Sequence, residues 1–374
     1  MKDGIKIIKG YKRNSFLILY FILIINLFLC ISISDEKYIY SKKLTIFSSE
    51  IHMVIKGNGN QSILNDSFSM EPSEVFVNGI FRESCKKFCE LEYEENNVTL
   101  YFNNSVTTCE FMFSELNNIK EIDFSHFDFS SVITMSFMLR NCINLEKLNF
   151  GNINTSSVEN MKGLFYNCSK LSNIDVSNFD TSSVTIMDRM FYRCENLLSV
   201  NLSNFNTSNI NSLYLFFYKC YKITSIDVSS FDTSKVTELY ATFRDCMKVK
   251  TINLGKMNTS LVKDMRCLFY HCENLESIDI SSFDTSSVTL MGWIFFHCYS
   301  LKSIEIPQTF NTSNVESMYA TFSHCKSLIS LNLSVFDTSK VTEMSYMFNN
   351  CKKMKYLDVS HFFSIEQHCN RIYV

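Results

Sequence analysis

The chain contains few of the residues that interrupt regular structure. Its 374 residues include only two prolines and nine glycines, which excludes a collagen-like chain and one made largely of flexible linkers. The formal net charge is -3, so no excess of basic residues favours nucleic acid as a partner. Apolar residues make up 46% and charged residues 20%, which excludes wholesale disorder. The sequence therefore predicts a folded protein that does not bind DNA or RNA.

Signals of catalysis are also missing. The sequence has no glycine-rich phosphate loop, no recognisable order of Ser, His and Asp, and no paired acids in a pocket-like context. His271, His297 and His324 each precede a regularly spaced cysteine and could align along one edge, where a metal site is conceivable. The same position holds Arg193 and Lys219 elsewhere, so we interpret the histidines as surface residues. We predict no enzymatic activity, no cofactor and no metal site.

The sequence has a single long apolar run, and it lies near the N-terminus. Residues 16–33 are mostly apolar and follow a basic stretch formed by Lys2, Lys6, Lys9, Lys12 and Arg13. This pattern predicts that residues 1–34 are a secretory signal cleaved before Asp35 or, alternatively, an uncleaved signal anchor. Either reading places the rest of the chain outside the cytoplasm, secreted or on the cell surface. Contact with a membrane is expected only through this segment.

Regularly spaced cysteines reveal an internal repeat. Most successive members of this column are 26 residues apart, and one step of 27 falls near Pro307. An aromatic column lies three residues before it, with Leu139 in one place, and extends the count to ten repeats. The cysteine column is Cys142, Cys168, Cys194, Cys220, Cys246, Cys272, Cys298, Cys325 and Cys351. The aromatic column is Phe113, Leu139, Phe165, Phe191, Phe217, Phe243, Phe269, Phe295, Phe322 and Phe348.

Each repeat has two halves with different periods, as residues 179–204 illustrate. Apolar residues from Val184 to Cys194 are three or four apart, which predicts a short helix that the preceding Asp-Thr-Ser could cap. Those from Leu197 to Leu202 follow the shorter period of a strand. One coil cannot bury its own apolar side, so neighbouring coils must cover one another. The sequence predicts an α/β solenoid of about ten coils with a parallel sheet on one face.

The repeat resembles the BspA-like leucine-rich-repeat surface proteins of the 26-residue class. The runs FDTSSVTLMGWIFFHCYSLKSIEI (283–306) and FDTSKVTEMSYMFNNCKKMKYLDV (336–359) carry the resemblance, which extends over about 101–360. It implies an extracellular or cell-surface protein used in adhesion or ligand contact. It implies no particular ligand.

Residues 35–100 do not repeat and are predicted to be rich in strands. Strands are expected at Ile51–Ile55, Glu74–Val77 and Asn97–Phe102, with a turn at 57–60. An open solenoid end exposes apolar surface, so we interpret this segment as an N-terminal cap. The predicted organisation is a targeting segment (1–34), a β-rich cap (35–100), a leucine-rich-repeat-like solenoid (101–360) and a C-terminal cap (361–374).

Twelve of the 15 cysteines fall into two groups. The column cysteines lie on the apolar face of each coil and are predicted to be buried thiols. Cys85, Cys89 and Cys109 lie outside the column, and in an exported protein a disulfide among them is plausible. Their pairing cannot be read from the sequence.

Two columns alternate between Asp and Asn from one repeat to the next. One runs Asp128, Asn154, Asp180 and onward, and the other alternates from Asp123 and Asn149 as far as Asp279, after which Glu305, Asn332 and Asp358 follow. Duplication of a two-coil unit explains the origin of this pattern. We hypothesise that it also relieves repulsion, because Asn separates carboxylates that would otherwise lie one strand apart. A calcium site is disfavoured because the turns lack glycine.

The remaining candidates for function lie on the surface. Small polar strand residues predict a flat strip on the sheet face, and a row of aromatic residues beside the Phe column predicts a second stripe, which could instead pack between coils. We predict adhesion or recognition of a protein or glycan on another cell or matrix. The alternative is a structural coat that associates laterally with copies of itself. The candidate binding residues are Asp175, Asn201, Asp227, Asn253, Asp279, Tyr192, Tyr218 and Tyr270.

Overall fold

The computed structural model describes residues 49–362, in which every regular element is a β-strand. The predicted targeting segment 1–34 and all but two residues of the predicted C-terminal cap lie outside this range. None of the described residues forms a helix of the length and apolar character needed to cross a membrane. The strands are β1 (Ser49–Lys56), β2 (Gly59–Ser62), β3 (Glu74–Val77), β4 (Ile80–Phe81), β5 (Phe88–Leu91), β6 (Glu95–Phe102), β7 (Ile119–His126), β8 (Lys147–Asn149), β9 (Ser225–Asp227), β10 (Thr251–Asn253), β11 (Ser330–Asn332) and β12 (Tyr356–Asp358).

A six-stranded sheet precedes most of the repeats. Its strand order is β4-β3-β6-β1-β7-β8, with β1 antiparallel to both β6 and β7. Along β1 the side chains alternate, so Ile51, Met53 and Ile55 enter the core while His52 and Val54 lie on the outer face. The strands predicted in this part of the chain are present as β1, β3 and β6. A separate pair, β2 and β5, is antiparallel.

The repeats are joined to one another in parallel. Strands β7 and β8, β9 and β10, and β11 and β12 pair in parallel at positions one repeat apart. A second row of parallel bridges runs through the other half of the repeats, for example Thr134 to Asn160. The strand halves therefore form three parallel strand pairs and an isolated bridge within 49–362, rather than one uninterrupted sheet.

The helices predicted in the first half of each repeat are absent from the described residues, so that prediction is wrong. In the repeat chosen above, the segment from Val184 to Cys194 is a series of tight turns. Arg189 and Arg193 both have φ of 56°, in the left-handed region that an α-helix does not use. A periodicity of three and four residues fits these turns as well as it fits a helix.

Hydrogen bonding between repeats explains why turns replace helices. The N–H groups of Arg189, Phe191 and Arg193 donate to carbonyl oxygens of the next repeat at 2.7–3.0 Å. The N–H groups between them close four-residue turns, as that of Cys194 does by donating to the carbonyl of Phe191 at 3.1 Å. Alternate donors are thus used between repeats, and an α-helix would withdraw them from the neighbouring repeat.

The core consists of columns of identical side chains. Rings of the Phe column stack on one another, with centroids 5.5 Å apart for Phe165 and Phe191 and 5.3 Å apart for Phe191 and Phe217. The column cysteines are free thiols and are buried, as the sequence predicts. Each donates through Sγ to a carbonyl of the previous repeat, as Cys194 does to Phe165 at 3.1 Å. The core therefore runs through the repeats without interruption at their boundaries.

Candidate binding surface

The polar strip lies on the strand half of the repeats. Its five predicted residues are all exposed: Asp175, Asn201, Asp227, Asn253 and Asp279. The residues that precede Asp227 and Asn253 in their strands, Ile226 and Ile252, point the other way and are buried in the core. A second exposed row, including Ser199, Ser225, Thr251 and Ser277, lies two residues earlier in each strand half. The strip is thus two side chains wide and consists mainly of small polar groups.

The carboxylates and amides of the strip are held in fixed positions. The Oδ1 atom of Asp227 accepts hydrogen bonds from the N–H and Oγ–H of Ser229, at 2.9 and 2.6 Å. Asp175 makes the same pair of bonds with Ser177. Bonds from the Ser229 hydroxyl and N–H lower the pKa of Asp227, which is therefore ionised at neutral pH. The strip consequently presents ionised acids that need little ordering to bind a ligand.

Asn side chains interact directly with the carboxylates beside them. Asn253 Nδ2 donates to Asp227 Oδ2 at 3.1 Å, and Asn149 Nδ2 donates to Asp123 Oδ1 at the same distance. An aspartate in place of either Asn would bring two negative groups together at this position. These contacts support the hypothesis that the alternation relieves repulsion.

The predicted tyrosine stripe is a stacked ladder in the turn half of the repeats. Ring centroids are 4.3 Å apart for Tyr166 and Tyr192, and 4.7 Å apart for Tyr192 and Tyr218. All these rings are half-buried, because each covers the face of the next. The five strip residues and Tyr192, Tyr218 and Tyr270 therefore form two separate rows. Ring edges, rather than ring faces, are available to a partner along the ladder.

Arg244 occupies a position in this ladder that sequence reasoning missed. Its guanidinium carbon lies 5.5 Å from the ring centroid of Tyr218 and 4.2 Å from that of Tyr270. A planar cation therefore continues the ladder where the column lacks an aromatic residue. Recurrence of Tyr every 26 residues on both sides of Arg244 was the signal that could have identified it.

The three histidines form a stack of their own. Ring centroids are 4.4 Å apart for His271 and His297, and 4.3 Å apart for His297 and His324. His271 Nδ1 contacts Asp245 Oδ1 at 3.2 Å. Across 49–362, no group of three or more His, Cys, Asp or Glu side chains converges as metal ligands would. Face-to-face stacking of His271 and His297, at an interplanar angle of 6°, does not direct their nitrogens at one shared point.

Four cysteines of residues 49–362 lie outside the column, and they form one disulfide and the two free thiols of Cys109 and Cys267. Cys85 and Cys89 are joined in a disulfide. Cys109 is free and buried, and burial raises the pKa of its thiol well above its usual value of 9.0. The disulfide thus closes a short loop before β5 and leaves Cys109 in the core.

A groove of about 450 Å³ opens on the outer face of the six-stranded sheet. Strands β6, β1, β7 and β8 contribute its lining, which includes His52, Val54, Glu121, Asp123 and Lys147. Asn149 on β8 lies one repeat before Asp175, and both residues line a smaller adjoining depression, so the groove is adjacent to the polar strip. The sequence predicted strands here but gave no sign of the groove, which depends on how four distant segments pair.

Comparison with known proteins identifies one family. The family model described as "Mycoplasma protein of unknown function, DUF285" matches residues 81–198, 170–251 and 237–362. The three matches together cover most of the chain, and they repeat along it as the sequence does. No curated protein and no solved structure matches the chain.

Proposed function

This chain belongs to the DUF285 family, and on that footing we propose that it is an extracellular or cell-surface protein that binds a partner through its polar strip. The observation that carries the proposal is the strip itself, in which exposed Asp and Asn side chains recur from Asp175 to Asp279 and are fixed by bonds such as those of Asp175 and Asp227. A surface with ordered polar groups loses little entropy on binding. The partner is a protein or a glycan on another cell or matrix.

The same proposal includes a finer description of the fold. Bonds between equivalent positions of successive repeats support an open solenoid of the BspA-like leucine-rich class, with turns in place of helices. Residues 35–100 act as the N-terminal cap, since β7 and β8 continue the sheet of that segment into the first repeats. Residues 1–34 direct export. In this arrangement the strip lies along one face of the whole solenoid.

The test changes the bulk and charge of the strip without disturbing the fixed acids. Ser199, Ser225 and Ser277 are exposed strip residues, and replacing all three by Arg should abolish attachment of the full chain to cells or matrix. The matched control replaces Ser182, Ser234 and Ser339, which are exposed in the turn column, by Arg. Equal loss in both variants, or no loss in the strip variant, would contradict the proposal.

Location is tested separately on intact cells. An impermeant protease should remove residues 35–374 from the cell surface, or the same residues should be found in the medium. Protection of the chain inside intact cells would overturn the export of the protein and the function that depends on it.

A coat that associates with copies of itself is the second candidate. Tyr356 is 72% exposed on β12, which pairs only with β11 among the described strands. An exposed strand edge can pair with another chain. Concentration-dependent oligomers in sedimentation experiments that are lost in Tyr356→Lys would favour the coat, whereas a monomer at all concentrations would exclude it.

A further inference from the structure

The groove on the six-stranded sheet is built from two rows of side chains that cross the strands. His52 on β1 lies opposite Thr99 on β6 and Asp123 on β7. The next row places Val54 opposite Asn97 and Glu121 in the same strands. Both rows line the groove.

Val54 forms the floor of this groove. It is the apolar member of the two rows on the outer face, and its neighbours across and along the sheet are the longer side chains of Asn97, Glu121, His52 and Lys56. A short side chain among longer ones leaves a depression with an apolar base and a polar rim. The half-buried Val54 can therefore contact a ligand that the rim encloses.

The charged groups of the rim are already paired within the protein. Lys147 Nζ lies 2.9 Å from Glu121 Oε1, and Asn149 Nδ2 donates to Asp123 Oδ1 at 3.1 Å. His52 Nε2 lies 2.9 Å from Glu50 Oε1. A charged ligand would have to break such pairs or add an uncompensated charge, which favours a neutral ligand.

The rim still has hydrogen-bonding capacity. The second oxygens of Glu121 and Asp123 can accept, the Lys147 ammonium has further donors, and the Asn97 amide can do both. Burial raises the pKa of Asp123, but the bonds from Ser125 and Asn149 and the nearby His52 outweigh this and lower it, so Asp123 is an ionised acceptor at neutral pH. Donors and acceptors that alternate around an apolar floor match a molecule with several hydroxyl groups and one apolar face.

We propose that this groove binds a neutral sugar residue of a glycan, with the C–H face of the ring on Val54 and its hydroxyls bonded to Asn97, Glu121 and Lys147. The inference rests on the recognition role proposed above and names the class of ligand. A volume of about 450 Å³ accommodates more than one sugar residue.

The glycan continues from the groove toward the strip. A smaller depression of about 50 Å³ is lined by Asn149, Gly151 and Asp175. Asn149 lines both depressions, so a chain of sugar residues that leaves the groove meets the first strip residues next.

The test applies the purified full-length chain to an array of neutral oligosaccharides of glucose, galactose, mannose and N-acetylglucosamine beside sialylated and sulfated ones. Val54→Phe fills the floor and should weaken binding at least tenfold. Ile133→Phe places the same ring at an exposed apolar position in the turn half of a repeat, away from both the groove and the strip, and should leave binding unchanged. Thermal unfolding of both variants verifies that they fold.

A second pair of variants keeps the test valid if Val54→Phe does not fold. Glu121→Gln removes one charge and one strong acceptor from the rim and should also weaken binding. Glu146→Gln removes an exposed acid that pairs with Lys170 and does not line the groove, so it should have no effect.

The possible outcomes separate this inference from the proposed function. Binding of a neutral glycan that Val54→Phe and Glu121→Gln weaken supports the inference. Binding to charged glycans alone, to no glycan, or with no sensitivity to either variant overturns it. If the array shows no binding while the strip variant still loses attachment to cells, the proposed function stands and the sugar site does not exist.

Discussion

Thr155 is bonded in both directions to the peptide groups around Asp180 in the next repeat. Its hydroxyl donates to the Asp180 carbonyl oxygen at 2.9 Å and accepts from the Asp180 N–H at 2.8 Å. The equivalent threonines of later repeats are buried and donate in the same way, as Thr181 and Thr207 do. The threonine of the Asp-Thr-Ser motif therefore joins repeats, a role that differs from the helix cap predicted from sequence.

Loss of one such hydroxyl should destabilise the repeats. Thr181→Val removes the buried hydroxyl that bonds both the N–H and the carbonyl of Asn206, at a cost of roughly 1–3 kcal/mol in the free energy of unfolding. Thr185→Val in the same repeat is the matched control, because Thr185 is exposed and its hydroxyl makes a single bond of 3.3 Å. Urea unfolding measures the free energy of unfolding of both variants. Equal losses would show that the two bonds of Thr181 stabilise the protein no more than the single bond of Thr185 does.

The buried thiols should make the free energy of unfolding decrease at alkaline pH. Burial raises the pKa of the Cys220 thiol well above its usual 9.0, so in this range the folded state keeps a proton that the unfolded state loses. Stability is therefore unaffected below about pH 9 and falls above it, by up to about 1.4 kcal/mol per pH unit for each thiol. Cys220→Ala should be less stable at pH 7 but show a shallower alkaline decline. A decline parallel to that of the unchanged protein would contradict this account.

The loss of fold stability at acidic pH should depend on the stack of His271, His297 and His324. Burial, followed by the neighbouring His271 and His324, lowers the pKa of His297 from 6.5 to about 4. A lowered histidine pKa stabilises the folded state above pH 6.5, and this contribution is lost as pH falls toward 4. His297→Gln should flatten the profile of stability between these values, and His126→Gln, at an exposed position, should not. Thermal unfolding at closely spaced pH values measures the difference.

Alternation of Asp and Asn should matter most at low ionic strength. Asn253→Asp removes the 3.1 Å bond to Asp227 and places two carboxylates together, which should cost roughly 0.5–1 kcal/mol in dilute buffer and less in high salt. Asn253→Ser removes the same bond without adding charge, so its cost should not vary with salt. If both variants respond equally to salt, repulsion between carboxylates is not the reason for the alternation.

The sequence predicted the period, the buried columns and the polar strip because each depends on one residue recurring at a fixed interval. It predicted helices wrongly, since the spacing from Val184 to Cys194 fits tight turns equally well and only the bonds of Arg189 and Phe191 to the next repeat distinguish them. It missed the groove because His52 and Asp123 are distant in the chain and meet only through strand pairing. Features that recur at a fixed interval could therefore be predicted from the sequence. The turns and the groove could not, because they depend on hydrogen bonds between segments that are distant in the chain.

The alternation of Asp and Asn also constrains how such a gene can change in copy number. Recombination that adds or removes two repeats leaves Asn253 beside Asp227 and every other such pair intact. Recombination that adds or removes one repeat sets two Asp or two Asn side by side at the junction, depending on which repeat is lost or duplicated. The number of repeats should therefore change by two more readily than by one wherever a one-repeat change would pair two carboxylates.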